Sequence, residues 1–165
     1  MPEKQTIERA RRDKRAGKSP STQAGEFVRE EMHHIRAGKH GARSTKQAIA
    51  IGLSKARKAG VKLQAPPKGR TSEKTRQSAK HALRRGRSGR ETSARRSSAV
   101  RKALKREGRS AASRSALSRQ ARSAARQRSA GSRKAAARKA ARTKGRIGRV
   151  AAARKAARTR ARRHS

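Results

Sequence analysis

The feature that most constrains this chain is the excess of positive charge in its second part. Residues 64–165 hold 35 Lys and Arg residues against 3 Asp and Glu residues, and no acidic residue follows Glu107. The whole chain of 165 residues has a formal net charge of +42. Because like charges repel one another in a compact state, a chain of this kind needs a polyanion to supply counter-charge. We therefore expect its main partner to be a nucleic acid.

Large apolar side chains are scarce, with one Phe and neither Trp nor Tyr in the chain. A chain so charged and so poor in apolar groups cannot bury enough surface to offset its conformational entropy throughout. Helices that lie on membranes need a broad apolar face, and spanning helices need about 18 consecutive apolar residues. Neither pattern occurs, and the first residues lack the apolar run of a secretory signal. We expect a cytoplasmic, nucleoid-associated protein without a membrane partner.

Charge and composition divide the chain into three parts. Residues 1–63 contain 16 basic and 6 acidic residues and form the predicted head. The sequence Ala-Pro-Pro-Lys-Gly at 65–69 interrupts both helices and strands, so residues 64–72 are predicted to be a linker. Residues 73–165 form a low-complexity cationic tail.

Two helices are predicted in the head from their end signals. Ser19-Pro20 combines an N-cap with proline at the first helical position, and Gly38 ends the pattern. The second helix begins at Ser44, where Gln47 three residues later fits a capping box. It ends at Gly60, followed by an apolar residue as in a Schellman motif. The short connection predicts an antiparallel helical hairpin, and a weaker helix is predicted over residues 6–16.

Helical spacing assigns an inward face to each helix of the hairpin. The residues on these faces are Ala24, Phe27, Val28, Met32 and Ile35 in the first helix, and Ala48, Ile49, Gly52, Leu53 and Ala56 in the second. Two residues break the pattern, since Glu31 falls inside an apolar face and Ile51 falls opposite one. We predict that Glu31 pairs with a base of the second helix and that Ile51 contacts another chain. The alternative is that both lie at the edge of a small core.

The tail consists largely of Ala, Arg, Lys and Ser, and the sequence AAARKAART occurs at 135–143 and again at 151–159. Ala and Arg favour helix, whereas like charges four residues apart, such as Lys134 and Arg138, oppose it. No continuous apolar stripe offers tertiary packing. The fold class predicted for the chain is mostly α, with a small helical hairpin head and a largely disordered tail that becomes helical when phosphates screen its charges.

This charge distribution predicts sequence-nonspecific binding of duplex DNA, as in a histone-like protein that neutralises phosphates. The tail has no aromatic residues to stack on unpaired bases, which single-strand binders commonly use. The alternatives are an RNA- or ribosome-associated protein, and an adaptor whose head binds a protein partner or a second copy. The predicted nucleic-acid-binding residues are Lys46, Lys55, Arg57, Lys58, Arg133, Lys134, Arg138, Lys139, Arg142, Lys144, Arg154, Lys155, Arg158, Arg160, Arg162 and Arg163.

Residues with catalytic or metal-binding chemistry are few. There is no Cys, and the spacing of the histidines matches no common zinc motif. The glutamates of the head are expected to balance local charge and not to act as catalytic acids. We predict no metal, no cofactor and no enzymatic activity. The residues weighed for these roles are His33, His34, His40, His81, Glu26, Glu30 and Glu31.

The stretch KQAIAIGLSKARKAG at 46–60 resembles the hallmark of a family of small basic bacterial proteins of unknown function. The preceding PSTQAGEFVREEMHHIRAGKHGARST is similar to the longer members of that family. Some members are labelled DNA-binding or plasmid-stabilisation proteins, so the resemblance implies a role in DNA binding. The chain departs from many members in having Lys55 where they have Glu and Gly52 where they have Ala. The tail resembles the basic tails of bacterial linker-histone-like proteins, although those are rich in Lys and this one is rich in Arg.

Overall fold

The computed structural model describes residues 2–69, 71–88 and 93–164. These residues form seven α-helices, one short 3-10 turn and no strand, which confirms the predicted mostly α fold class. The helices are α1 (Lys4–Arg15), α2 (Pro20–Arg36), α3 (Thr45–Lys58), α4 (Glu73–Ser88), α5 (Ala94–Lys105), α6 (Arg114–Arg126) and α7 (Ala130–His164), and the 3-10 turn is Ser110–Ala112. Residues 1–120 and 121–165 form two compact units, and each is described by itself.

The end signals of α3 act where they were predicted, and α2 begins at Pro20 as predicted, although the Ser19 side chain makes no capping hydrogen bond. The Ser44 hydroxyl accepts a hydrogen bond from the Gln47 amide at 3.2 Å, which caps α3. After α3, Gly60 has a φ of 85° and the Val61 amide donates to the Ala56 carbonyl at 3.1 Å. This is the left-handed cap of a Schellman motif, and Val61 is buried beneath it. The predicted helical hairpin is therefore present as α2 and α3.

Gly52 allows α2 and α3 to approach closely. A Cβ placed on Gly52 would lie 2.7 Å from the Cα and 3.0 Å from Cγ2 of Val28. No side chain fits between the two helices at this point without moving one backbone away from the other. The small residue thus sets the distance across the hairpin.

The core of the first unit consists of two apolar clusters on either side of this crossing. Four of the five apolar residues predicted to face inward from α2 are buried, and Phe27 and Ile35 are almost completely so. Ile51 is half-buried on α3. The members of the first cluster are Met32, Ile35, Ala42, Ala48, Ala111 and Ala112. Those of the second are Ala10, Ala24, Phe27, Ala56 and Val61.

A segment that the sequence assigned to the tail completes this core. The Gly41 amide donates to the Leu104 carbonyl at 2.9 Å, and the Thr45 hydroxyl donates to the Ala111 carbonyl at 2.7 Å. Arg36 Nε donates to the Ala112 carbonyl at 2.8 Å. The packing therefore continues beyond the predicted end of the head at residue 63, and the compact unit extends to residue 120.

The structure corrects the prediction of a disordered tail, because helices occupy most of it. Helix α4 packs against α3, and Ala79 and Ala82 of α4 are buried. Helix α7 has a non-helical residue, Gly145, with φ 62° and ψ −176°, so it consists of two helical segments. The high helix propensity of Ala and Arg explains this outcome. Among the described residues, no helix is both long and apolar enough to cross a membrane.

Candidate nucleic-acid interface

The second unit presents α7 as a cationic surface. Every described residue from 125 to 162 is exposed except Ala141 and Gly148, which are half-buried. The helix carries 14 Lys and Arg residues and no acidic residue. Its cations therefore have no carboxylate partner within the helix. They are available to a polyanion from solvent.

The cations of α7 surround the helix instead of forming one stripe. Successive residues of an α-helix are about 100° apart, so residues nine positions apart project from opposite sides. Arg133 and Arg142 form such a pair in the first segment, and Arg149 and Arg158 form one in the second. Apolar groups lie among them on the surface, including Ile147, which is 88% exposed. Such a helix can contact phosphates on more than one side at once.

The structure places ten of the predicted tail residues in exposed positions along α7: Arg133, Lys134, Arg138, Lys139, Arg142, Lys144, Arg154, Lys155, Arg158 and Arg160. Arg162 is exposed as well, whereas the side chain of Arg163 lies outside the described residues. The prediction omitted Arg146 and Arg149, which are equally exposed on the same helix. They lie between the two copies of the repeat, and a count of all bases in the helix would have included them.

The four predicted residues of α3 fall into two groups. Lys46 and Lys58 are exposed. Arg57 is buried and donates to the carbonyls of Leu63 and Gln64 at 3.1 and 3.3 Å, and burial lowers the pKa of its guanidinium. Its role is therefore to hold the chain that follows α3. We remove Arg57 from the candidate interface for this reason.

Lys55 also has a structural partner. Its ammonium lies 2.6 Å from Glu31 Oε2 and 3.8 Å from Glu30 Oε1, and the Glu31 side chain is fully buried. This confirms the prediction that Glu31 pairs with a base of the second helix of the hairpin. Helical spacing places Glu31 against α3, and a buried carboxylate needs a cation there. Lys55 is thus engaged inside the head and does not belong to the exposed cationic surface.

The pair belongs to a larger polar cluster between α2, α3 and the N-terminus, which we call the buried polar cluster. Its members are the buried Glu30, Glu31 and His34, the half-buried His40 and Lys55, and the exposed Glu3 and Lys39 at its edge. His34 Nε2 lies 2.8 Å from Glu3 Oε1, and Lys39 Nζ lies 3.1 Å from the same oxygen. The hydrogen bonds from His34 and then Lys39 lower the pKa of Glu3 from 4.5 to about 2. The sequence patterns did not reveal this cluster as a unit, because its residues come from distant parts of the chain.

Comparison with known proteins adds one match. Residues 4–70 match the family model described as "Family of unknown function (DUF6496)". This range contains α1 to α3 and is less than half of the chain. No curated protein and no solved structure matches the chain.

Proposed function

We propose that this protein binds duplex DNA without sequence preference and acts as a histone-like, nucleoid-associated protein. The observation that carries the proposal is α7, a helix with 14 exposed or terminal cations and no acidic residue. Each phosphate that a Lys or Arg neutralises releases condensed counterions, which gives sequence-independent affinity. The exposed Lys46 and Lys58 of α3 add to the same surface potential.

The charge density of α7 suits a nucleic-acid backbone. At about 1.5 Å per residue, the two segments of α7 have a combined helical length of roughly 52 Å over 35 residues, or one cation for every ~3.7 Å of helix. Phosphates of one DNA strand are about 3.4 Å apart. The same residues in an extended strand would place one cation only every ~8 Å. The helical form therefore matches the phosphate spacing much better than an extended form.

We further propose that phosphate binding stabilises the helical form of α7. Nearly all of its alanines are exposed, so packing within the second unit adds little stability to the helix. Like charges four residues apart, such as Lys134 and Arg138, oppose the helix until phosphates screen them. Cations on opposite sides would then allow one helix to contact two duplexes and bridge them.

The sequence resemblance supports the same proposal. The stretch at 46–60 lies inside the range that matches the family model. We propose that this family is the one of small basic bacterial proteins that the stretch resembles. The tail would then be the part of this chain that adds strong phosphate binding to the head.

The test is duplex affinity across a salt series for three full-length proteins. The first is the unchanged chain. The second replaces six cations of α7 with Gln, and the third replaces six exposed cations of the first unit, so that both variants have the same net charge. The replaced residues are Arg138, Lys139, Arg142, Arg154, Lys155 and Arg158 in the second protein, and Arg11, Arg12, Lys14, Arg15, Lys46 and Lys58 in the third.

The logarithm of the DNA-binding constant decreases linearly with the logarithm of the salt concentration, and each neutralised phosphate contributes about 0.9 to the steepness of this slope. The α7 variant lacks six cations, so its slope should be shallower by up to ~5. The matched variant of the first unit should retain most of its slope. If instead the first-unit variant has the shallower slope, the first unit and not α7 is the main binding element. Tighter binding to structured RNA than to duplex DNA at equal phosphate would replace DNA with RNA as the ligand.

A further inference from the structure

The buried polar cluster contains a second kind of site, which is independent of the proposed DNA binding. One ligand atom from each of Glu31, His34 and His40 lies within 4.8 Å of the others. Glu31 is fully buried, His34 is buried and His40 is 17% exposed in its side chain. Two imidazoles and a carboxylate are common ligands of zinc and related ions.

The hydrogen bonds of the two histidines fix which nitrogen of each ring is free. His40 Nδ1 lies 3.0 Å from the Gly41 carbonyl oxygen, which can only accept, so Nδ1 donates. His34 Nε2 lies 2.8 Å from a carboxylate oxygen of Glu3, so this nitrogen donates as well. In neutral rings the lone pairs are therefore on His40 Nε2 and His34 Nδ1.

Both lone pairs face carboxylate oxygens. His40 Nε2 lies 3.3 Å from Glu31 Oε1, and His34 Nδ1 lies 4.0 Å from Glu30 Oε1. Among the described residues, neither of these oxygens has a hydrogen-bond partner, and the Lys55 ammonium makes ionic contacts with Glu30 Oε1 at 3.8 Å and with Glu31 Oε2 at 2.6 Å. Acceptors that face one another inside a protein repel unless a cation lies between them. A cation that accepts lone pairs, such as a metal ion, would remove this repulsion.

We propose that Glu31, His34 and His40, with Glu30 beside them, bind a divalent zinc-class ion that stabilises the head. Ligands about 2.0–2.1 Å from a tetrahedral ion lie about 3.3 Å from one another, which is the separation of His40 Nε2 and Glu31 Oε1. The Glu3 carboxylate and the Gly41 carbonyl act as the outer partners that orient metal-binding imidazoles. The ammonium of Lys55 holds the second oxygen of Glu31.

A structural role for the ion follows from its position. The ligands join α2 to the loop before α3, next to a core built mostly from alanines. Small domains with thin cores commonly need an additional link such as a metal ion. The sequence predicted no metal because the spacing from Glu31 to His40 matches no common motif. Only the fold brings the ligands together.

The experiment titrates Co²⁺ into the full-length, metal-free chain carrying no histidine tag, and follows visible absorption and thermal unfolding. One equivalent should produce the intense band of a tetrahedral site and raise the unfolding temperature, and Zn²⁺ should abolish the band. Removing an outer partner of a metal ligand weakens metal binding about 10–100-fold. His40→Ala removes a ligand itself, so it should weaken Co²⁺ binding by more than this factor. Glu31→Gln should do the same and provides a second test if His40→Ala does not fold.

The matched control is His33→Ala, because His33 is exposed on the same helix as His34. This variant should bind Co²⁺ as the unchanged chain does. An unchanged spectrum and unfolding temperature at saturating Co²⁺ in the unchanged chain would overturn the proposal. Equally weakened binding in His33→Ala and His40→Ala would also overturn it, since it would show binding at surface histidines.

Discussion

The contact between Lys55 and Glu31 allows a sharp prediction for Lys55→Met. The Glu31 carboxylate is fully buried, and the ammonium of Lys55 lies 2.6 Å from it. Methionine fills a similar volume but leaves two buried carboxylates, those of Glu30 and Glu31, without this cation. Removing one partner of a buried pair commonly costs about 3–5 kcal/mol. The Lys55 side chain is 23% exposed, so we expect the lower end of this range, a decrease of about 3 kcal/mol in the free energy of unfolding.

The assay is urea unfolding followed by circular dichroism, in buffer with a chelator so that no metal contributes. Lys46→Met is the control, because Lys46 is exposed on the same helix, and it should change stability by no more than about 0.5 kcal/mol. The double variant Lys55→Met/Glu31→Leu should recover much of the stability, since apolar groups can replace a buried ion pair. A decrease below about 1 kcal/mol would refute the reasoning.

Two further predictions concern the first unit. Gly52→Ala should destabilise it by about 1–3 kcal/mol through overpacking against Val28. Gly25→Ala, in open space on α2, should instead stabilise it by up to about 1 kcal/mol. Urea unfolding measures both changes, and equal effects of the two variants would exclude the steric explanation. The pKa of Glu3 is lowered to about 2, so its contribution to stability is complete above about pH 4.5 and is lost as pH falls towards 2. The stability difference between the unchanged chain and Glu3→Gln should therefore shrink across that range, and a constant difference would contradict the assignment.

The parts of the fold that could be predicted from sequence depend on local signals. The ends of α2 and α3 follow from a serine cap and from glycines that adopt positive φ, and these act within a few residues. The pairing of Glu31 with a base of α3 could be predicted because helical spacing fixes the direction of Glu31 towards that helix, whereas the base itself, Lys55, was predicted to bind nucleic acid. Both predictions needed only the geometry of single helices and one antiparallel crossing.

The docking of the segment around Ala111 and Ala112 could not be predicted in this way. Two alanines in a stretch rich in Ser and Arg give no hydrophobic signal, and the segment is held partly by its carbonyl groups. The buried polar cluster was missed for a related reason, since Glu3 and His40 reach α2 from loops and not from a periodic face. Sequence patterns reveal faces of helices, whereas these contacts depend on how loops return to them.

The positions of the acidic residues determine which cations are free to bind phosphate. Adding acidic residues to α7 can therefore test whether net charge or helix content determines the proposed DNA affinity. In the head, Asp13 pairs with Lys18 and Glu26 pairs with Arg9, whereas α7 has no acidic residue. Ala135→Glu together with Ala151→Glu would place an acid four residues before a lysine in each copy of the repeat. Each pair should favour the free helix by about 0.2–0.5 kcal/mol.

Circular dichroism of this double variant should therefore show more helix without DNA than the unchanged chain shows. Its DNA affinity should nevertheless fall, and its salt dependence should become shallower by about 0.9 for each cation that the new acids neutralise. The isosteric control is Ala135→Gln with Ala151→Gln, which adds similar side chains without charge and should leave the salt dependence unchanged. If the Glu variant bound duplex DNA more tightly than the Gln variant, preformed helix and not net charge would determine the affinity, and the charge mechanism would be wrong.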